Sequence, residues 1–498
     1  MIEEYRQAVG CKKAADSPFS TVLIQSFVKG MIFLQQNING QQENKMGTES
    51  VGRLIAGMAL PAMFAMLIQA LYNIVDSIYV AKLSQEALTA VSLAFPLQSL
   101  IIALGVGTGV GVNSLISRRL GAGNRDAASA AAKHGLVLAV ISGLVYGLIC
   151  FLIMKPFFAA FTDGQPAIYE QGIQYGYIVT VLSVFCMISI ACEKIIQATG
   201  NMVIPMIQNV FGAVVNIILD PIMIFGLLGF PKLGVVGAAI ATVTGQIVSM
   251  LLGLCFLFLR KHEVDVGFCG FRLDLSVIGQ IYQVGLPGII MQSVMSVMTA
   301  GLNAILAGYS ATAVAVLGVY FRLQSFVFMP VFGLNQGALP VMGYNFGARR
   351  RSRMIQAYKV SLLSAAAIMA AGAILFQTAP GVMLRLFLTS EEAALGDASP
   401  LLQMGIPALR TISLCFVPAA FGIINSTVFQ AIGRGMNSLI VSVCRQLIII
   451  LPAAWLFAKW WGVNGTWYAF PFAEIFTLVL SFVLLYRDYK GEISKLEA

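Results

Sequence analysis

Long apolar runs, separated by short polar segments, recur along the chain from about Val51 onwards. An α-helix needs about 20 such residues to cross the hydrocarbon core of a bilayer. The runs are continuous, whereas the strands of a membrane β-barrel alternate polar and apolar positions. The pattern therefore predicts an all-α membrane protein with twelve transmembrane helices, at 53–81, 88–117, 131–155, 169–197, 203–229, 235–259, 276–307, 312–341, 357–379, 399–429, 437–459 and 464–486.

The two halves of this pattern resemble each other in sequence. A shift of 226 residues places Leu60-Pro61 on Leu286-Pro287, and the same shift places Leu97-Gln98-Ser99 on Leu323-Gln324-Ser325. Because each half holds an even number of helices, the repeats have the same orientation and are related by an axis along the membrane normal. We therefore expect two pseudo-symmetric six-helix bundles, with a cavity between or within them.

The division of the chain follows from these spans. Residues 1–50 are poorly patterned, and we expect an N-terminal extension that is disordered or interfacial. Met46 is the expected natural start, because every recognisable motif follows it. The other predicted segments are an N-lobe at 51–259, a cytoplasmic inter-lobe loop at 260–275, a C-lobe at 276–487 and a cytoplasmic tail at 488–498.

Composition agrees with membrane insertion. Hydrophobic residues make up 58% of the chain and charged residues 11%, with a mean hydropathy of +0.84, whereas charged residues form about 25% of a soluble domain. Eight cysteines are scattered without a CxxC pair, and there are two histidines. These counts argue against a metal site, a disulfide framework and histidine-based catalysis. We therefore expect neither an enzyme nor a bound cofactor.

The net charge of +9 lies mainly in short loops, which indicates topology rather than nucleic-acid binding. One side of the predicted membrane receives most of the basic residues, including Arg118, Arg349, Arg434 and Arg445. The positive-inside rule places this side in the cytoplasm, with both termini, and the protein in the cell membrane. The other side receives only Lys82, Lys155, Lys232, Arg385 and Lys459.

The first span carries a polar stripe. Gln69, Asn73 and Asp76 stand at i, i+4 and i+7, so they share one face of the helix. A carboxylate in a membrane helix costs roughly 2.5–3.5 kcal/mol, and that cost is tolerable when the stripe faces a cavity or a partner helix. The alternative is a structural acid near the membrane surface, with a salt bridge or access to the headgroups.

The fifth span supplies the best partner for Asp76. Asn216 and Asp220 are four residues apart and share a face, and Pro221 weakens the local backbone hydrogen bonding. Two carboxylates with an amide oxygen suit a hard cation such as Na⁺. The pair could equally hold one proton, because two like charges in a poorly solvated site resist ionising together. The residues do not decide between the two ions, and a helix cap is the structural alternative for Asp220.

Other intramembrane polar residues are weaker candidates. Thr242 could add a ligand from the sixth span, with helix packing as the equal alternative. Glu474 in the last span is a candidate for a cavity role. We expect Glu193 and Lys194 to face the surface, and the methionines around Met295 to pack, although methionine surfaces also suit apolar ligands.

Together these motifs resemble the multidrug and toxic compound extrusion (MATE) family. The resemblance covers about residues 50–487 and implies two six-helix lobes, a central cavity and Na⁺- or H⁺-driven antiport of drugs, which are often cationic. It is specific for the family and not for the substrate. The residues that carry it, in the family's order, are Leu60-Pro61, Tyr72–Asp76, Leu120–Gly123, Gln197–Gly200 and Asn216–Pro221.

The resemblance also implies where ions and hinges lie. It implies ion binding by Asp76, Asn216 and Asp220, and it adds Thr242 to that set. On this scheme a cation entering from outside neutralises the acids, and the first span bends near its hinge proline, so that the substrate is released outward. The two hinge residues are Pro61 and its counterpart Pro287.

The seventh span departs from one branch of the family, which has an acid there. This sequence has Met291, Gln292 and Met295 instead, so we expect a cation site in the N-lobe and a substrate cavity that both lobes share. The expected cavity residues are Gln69, Tyr72, Asn73, Gln292, Met295 and Glu474.

The predicted function is secondary active efflux of drugs or toxic metabolites, in exchange for Na⁺ or H⁺, by a monomer in the lipid bilayer. The alternative is a flippase for lipid-linked saccharides of the same superfamily, although twelve spans and few intramembrane arginines argue against it. The sequence contains no HExxH or GxSxG motif, which disfavours an intramembrane enzyme. It also lacks a Walker A motif, so ATP hydrolysis is not the expected energy source.

Overall fold

The computed structural model describes residues 44–162, 164–259, 263–268, 271–388 and 395–497, without the side chains of Asn73, Ile74, Ser77, Ala81 and Asp397. Most of the predicted N-terminal extension therefore lies outside the described residues. From Met46 onwards the chain forms one compact unit.

Almost all of the described chain is helical, as predicted. Ten helices are long and apolar enough to cross a membrane, and two bent helix pairs bring the number of spans to twelve. The first half contains α1 Val51–Ala81, α2 Gln85–Gly121, α3 Arg125–Phe161, α4 Pro166–Val181 with Ser183–Ala198, α5 Val203–Phe225 and α6 Val235–Leu259. The second half contains α7 Leu275–Ala307, α8 Ala311–Gly347, α9 Arg351–Thr378, α10 Pro400–Ser413 with Phe416–Ala431, α11 Gly435–Trp461 and α12 Val463–Gly491.

Helices α4 and α10 are bent at equivalent places in the two halves. The two segments of α4 meet at 42° around Leu182, and those of α10 meet at 47° around Leu414 and Cys415. The offset between these breaks matches the one that relates Gln197–Gly200 to Gln430–Gly433. The bend is therefore a repeated feature of the fold, in addition to the repeated sequence motifs.

Polar side chains begin several helices. Ser84, Asn124, Asp274 and Ser310 each accept a backbone N–H of the first turn that follows them, at 2.8–3.1 Å. Caps of this kind stabilise a helix by about 1 kcal/mol each. With these caps the helices begin in polar sequence. For example, α2 begins at Gln85, before the predicted span 88–117, and it continues to Gly121.

Each half has its own apolar core. In the first half, Met154 and Phe158 of α3 are fully buried. In the second half, the Phe416 ring contacts those of Phe328 and Phe376, with centroid distances of 5.4 and 5.0 Å. Helices α1 and α2 also pack across the halves, against α8 and α7 respectively, which matches the two pseudo-symmetric bundles predicted from the repeat.

The two halves meet at one end of the bundle, which we call the base. At this end α2, α4 and α6 finish and α3, α5 and α7 begin. Gly121 lies against the Tyr344 carbonyl, and Gly347 lies against the backbone of α2, where a Cβ atom would collide in either case. Ser114 donates a hydrogen bond to the Gln430 carbonyl, with an Oγ–O distance of 2.5 Å. Among the described residues, every hydrogen bond between the halves lies on the base side.

The described parts of the inter-lobe loop and the tail are attached to the base. The backbone N–H of Asp265 donates to the Ser129 hydroxyl at 2.9 Å. Arg434, just before α11, forms ion pairs with Asp488 at 2.8 Å and with Glu492 at 2.5 Å. These contacts hold the end of α12 against the start of α11.

Candidate functional site

Two carboxyl groups meet inside the first half. Helix α1 packs against α5, and this contact places Asp76 and Asp220 within hydrogen-bonding reach of each other. Asp220 is fully buried, and the Asp76 oxygen Oδ1 is buried without a partner in the described part of the chain. Each acid lies about 8 Å before the end of its helix, on the side opposite the base. Two negative charges this close together, one of them fully buried, need a shared proton or a bound cation.

Asn216 links Asp220 to Thr242. The Asn216 amide nitrogen lies 3.5 Å from Asp220 Oδ1 and 3.4 Å from the Thr242 hydroxyl oxygen. With the carboxamide turned by half a rotation, its nitrogen donates to Asp220 Oδ2 at 3.0 Å and its oxygen accepts the Thr242 backbone N–H at 3.1 Å. In both orientations Asn216 presents a donor, and not its oxygen, to the acid. Its role in this arrangement is to position the Asp220 carboxylate.

Two tyrosines complete the surroundings of the acids. Tyr72, one turn before Asp76 on α1, lies close to both carboxyl groups. Tyr175 of α4 is 2% exposed, accepts a hydrogen bond from the Gln98 amide at 2.8 Å, and reaches the Thr242 hydroxyl. Tyr175 and Gln98 were not among the predicted site residues. Their only signal in the sequence is a polar atom within an apolar run, which packing residues share.

The donor atoms of this cluster are oxygens. Among the described residues, no group of three or more His, Cys, Asp and Glu side chains could hold a metal ion, and the neighbours of the two carboxyl groups are neutral. Carboxylate and hydroxyl oxygens are ligands that hard cations prefer. The cluster can therefore neutralise its charge with one small cation or one proton.

The predicted cavity residues are spread more widely. Gln69 of α1 and Gln292 of α7 are exposed, and Met295 is 43% exposed. The Asn73 side chain lies outside the described residues. The predicted hinge residues Pro61 and Pro287 lie inside continuous helices.

Glu474 is paired with Arg445, which does not lie where the charge pattern predicted it. Arg445 was assigned to the basic side of the membrane, but it lies inside α11, ten residues beyond Gly435. Its Nη1 donates to Glu474 Oε1 at 3.1 Å, and the Thr477 hydroxyl lies 3.5 Å from Glu474 Oε2. The positive-inside pattern fails here because a buried carboxylate, 29 residues away in sequence, stabilises the arginine within the membrane.

The expectation that Glu193 and Lys194 face the surface was wrong. Lys194 is 4% exposed, and its ammonium donates to Glu193 Oε1 at 2.9 Å and to Gln197 Oε1 at 3.1 Å. It also donates across the halves to Gln336 Oε1 of α8 at 2.8 Å. Asn209 donates to the other oxygen of Glu193 at 3.2 Å. A buried ion pair satisfied in this way is stable within the interior, although an unpaired charge is not.

Comparison with known proteins agrees with this architecture. The model of the MatE family matches residues 61–222 and 287–456, one segment in each half. The chain is 27% identical over 446 residues to a protein of Shewanella oneidensis named FAD transporter, covering 88% of this chain and 95% of that protein. It is 26% identical over 432 residues to the multidrug export protein MepA of Staphylococcus aureus, covering 86% and 92%.

The fold is also similar to a solved structure, which is described as the outward-facing conformation of a multidrug resistance MATE family transporter of the MOP superfamily. The TM-score is 0.84 at 28% identity, over 92% of this chain and 100% of the other.

Proposed function

The chain belongs to the MatE family of multi-pass membrane transporters, and from this premise we propose that it is a secondary active exporter, coupled to Na⁺ or H⁺ through Asp76 and Asp220. The observation that carries the proposal is the close approach of these two acids, of which Asp220 is buried and Asp76 half-buried. Their shared site takes up one positive charge, either a metal cation with Asn216 and Thr242 close by, or a proton. This arrangement uses the existing ion gradient and needs no catalytic step.

The proposed direction of transport follows from the end of the bundle at which the two halves are in contact. The base carries most of the basic loop residues and is cytoplasmic in this proposal, together with both termini. The acids then lie towards the outside of the cell membrane, where the cation enters. Each charge that moves through the membrane potential supplies about 2.3 kcal/mol per 100 mV. Neutralising the acids changes the packing of α1 near Pro61, with Pro287 as its counterpart in α7, and alternating access results.

The substrates that we propose are amphipathic organic compounds, often cationic. MepA is a multidrug export protein by name, and the Shewanella relative is named for FAD, so the family accommodates different compounds. The proposed cavity extends from Tyr72 and the polar stripe of α1 to the exposed part of α7 and to Glu474. The protein acts as a monomer and not as an enzyme. The flippase alternative is less favoured, because the relatives named above transport drugs and a flavin.

The decisive experiment is export of ethidium from proteoliposomes under a Na⁺ gradient alone and then a pH gradient alone. We expect one gradient to drive export, and both Asp76→Asn and Asp220→Asn to lower the rate at least tenfold. The control is Glu86→Gln, which removes an exposed acid at the same end of the bundle. Coupled export that persists in both aspartate variants, in correctly inserted protein, contradicts the proposal.

A further inference from the structure

We propose that Arg445 binds the carboxylate or phosphate group of amphipathic organic anions, so that the second half carries an anion site in addition to the cation site of the first half. The inference rests on the proposed transport function and extends its substrate class. It assigns Glu474 the role of the resident counterion, with which the substrate competes for the guanidinium group.

Arg445 lies deep in the membrane-spanning part of α11. Ten residues of helix separate it from Gly435 at the base, which is about 15 Å along the axis. The hydrocarbon core is about 30 Å thick, so this arginine lies near its middle. A charge there is costly to insert and marks a site of function by default.

The surroundings show that Arg445 points into the bundle and not into lipid. Glu474 comes from α12, Tyr320 from α8, and Cys415 from the break in α10, and all three lie close enough to interact electrostatically with the Arg445 charge or its partner. Tyr320 and Cys415 are 1% and 5% exposed. Four helices therefore enclose the pair from different sides.

The guanidinium group has unused capacity. Arginine has five N–H donors in a planar fork, and the described residues use one of them, in the bond to Glu474. The Arg445 side chain is 25% exposed, while that of Glu474 is 10% exposed. The guanidinium group is therefore the more exposed member of the pair. A planar fork with unused donors suits the bidentate binding of a carboxylate or phosphate.

The backbone around Arg445 is also unusual. Cys444–Ile449 forms a turn of π-helix inside α11, and such turns are frequent at functional sites. Within it, Gln446 is 8% exposed and donates to the Ser442 hydroxyl at 2.8 Å, while its own oxygen is buried without a partner in the described residues. The π-turn therefore combines the arginine with a buried polar atom that has no partner among the described residues.

The two halves therefore differ in polarity at their centres. Position 302, which the repeat places opposite Asp76, is a buried leucine, and Leu451 lies near the position that matches Asp220. The second half thus lacks counterparts of Asp76 and Asp220, and its own acid, Glu474, is paired with an arginine. We expect it to favour the negatively charged part of a substrate.

The test compares two planar aromatic probes that differ in charge, fluorescein as the anion and ethidium as the cation. Fluorescence anisotropy measures their binding to the purified full-length protein and its variants. We expect Arg445→Gln to weaken fluorescein binding at least tenfold and not to weaken ethidium binding, because the Glu474 carboxylate then lacks its counterion. Glu474→Gln should strengthen fluorescein binding severalfold, because it removes the competing carboxylate.

Opposite effects of the two variants separate a binding site from a structural ion pair, in which losing either partner is harmful. Arg445→Lys keeps the charge but not the fork, and it carries the test if Arg445→Gln does not fold in a thermal unfolding assay. The proposal is overturned if wild type does not bind fluorescein, if the arginine variants bind it as well as wild type, or if Glu474→Gln weakens binding. Ion-driven ethidium export by Arg445→Lys reports separately on the proposed antiport.

Discussion

The Asn216 carboxamide orients Asp220, one of the two acids of the site. It lies between Asp220 and Thr242, is 2% exposed, and directs its nitrogen to the carboxylate. A hydrogen bond to a charged group contributes about 1.5–3 kcal/mol when its partner is buried. The acid is therefore oriented by a neutral donor, while its charge remains available to the transported cation.

We expect Asn216→Leu to lower the rate of ion-driven export about tenfold, because Asp220 loses the donor that orients it. The measurement is the initial rate of ethidium export in proteoliposomes at fixed gradient. Gln208→Leu is the matched control on the same helix, since this side-chain amide is equally buried and, among the described residues, donates to Ser189 alone. If both variants lose export equally, the effect comes from packing of α5 and not from the acid pair.

At the residue scale, only part of the candidate site was predictable. Helical spacing alone placed Asn216 and Asp220 on one face, and the cost of a buried charge linked them to Asp76. Tyr175 could not be found in this way, because its importance depends on contacts with Gln98 that only the fold creates. The positions of Lys194 and Arg445 could not be found either, because their stability inside the bundle depends on partners chosen by packing.

Hydropathy predicts the positions of whole helices better than it predicts the surroundings of single residues. All twelve spans follow from the apolar runs, because the length of a membrane helix is set by the bilayer. The observed helix ends differ from the predicted ends of the spans, because capping side chains such as Ser84 let the helices begin in polar sequence. The bends in α4 and α10 were not predicted, because an apolar run looks the same whether its helix is straight or broken.

The packing of α2 on α7 depends on glycines. Gly107 faces Ile289, where a Cβ atom would lie 2.5 Å from the backbone nitrogen, and Gly111 faces the Ile281 carbonyl even more closely. Small residues let helix backbones approach in this way. This contact joins the two halves. A larger side chain at either glycine would therefore change the relative position of the halves more than it would disturb the core within each half.

We expect Gly111→Leu to reduce export at least tenfold while the protein still reaches the membrane, because the halves can no longer close at the base. Export is measured in proteoliposomes, and the amount of inserted protein by immunoblot. Gly279→Leu serves as the control, since this glycine on α7 has open space around its Cβ position. Normal export by Gly111→Leu would mean that the closed base is not needed for transport.

At the scale of the whole molecule, the structure is one of at least two states that an exporter must visit. Its halves are joined at the base by close backbone contacts and by hydrogen bonds such as the one from Lys194 to Gln336. Most bonds of Lys194 stay within the first half, and this one crosses to the second. Ligands and mutations shift a conformational equilibrium only by their difference in free energy between the states. A contact present in one state alone is therefore a direct way to shift it.

Gln336→Leu removes the hydrogen bonds that Gln336 accepts across the halves from Lys194 and Gln197, and it leaves the pairing of Lys194 with Glu193 intact. We therefore expect the population with an open base to rise at least fivefold, which corresponds to about 1 kcal/mol. The distance between spin labels at Arg125→Cys and Met436→Cys, two exposed positions at the base, measures this in a background without native cysteines. Asn335→Leu is the matched control on the same helix, because Asn335 accepts its hydrogen bond from Thr427 of the same half. If both variants shift the distance distribution equally, the change reflects loosening of α8 and not the loss of a bond between the halves. If neither does, the bonds to Gln336 contribute nothing to holding the base closed, and the other contacts between the halves are sufficient.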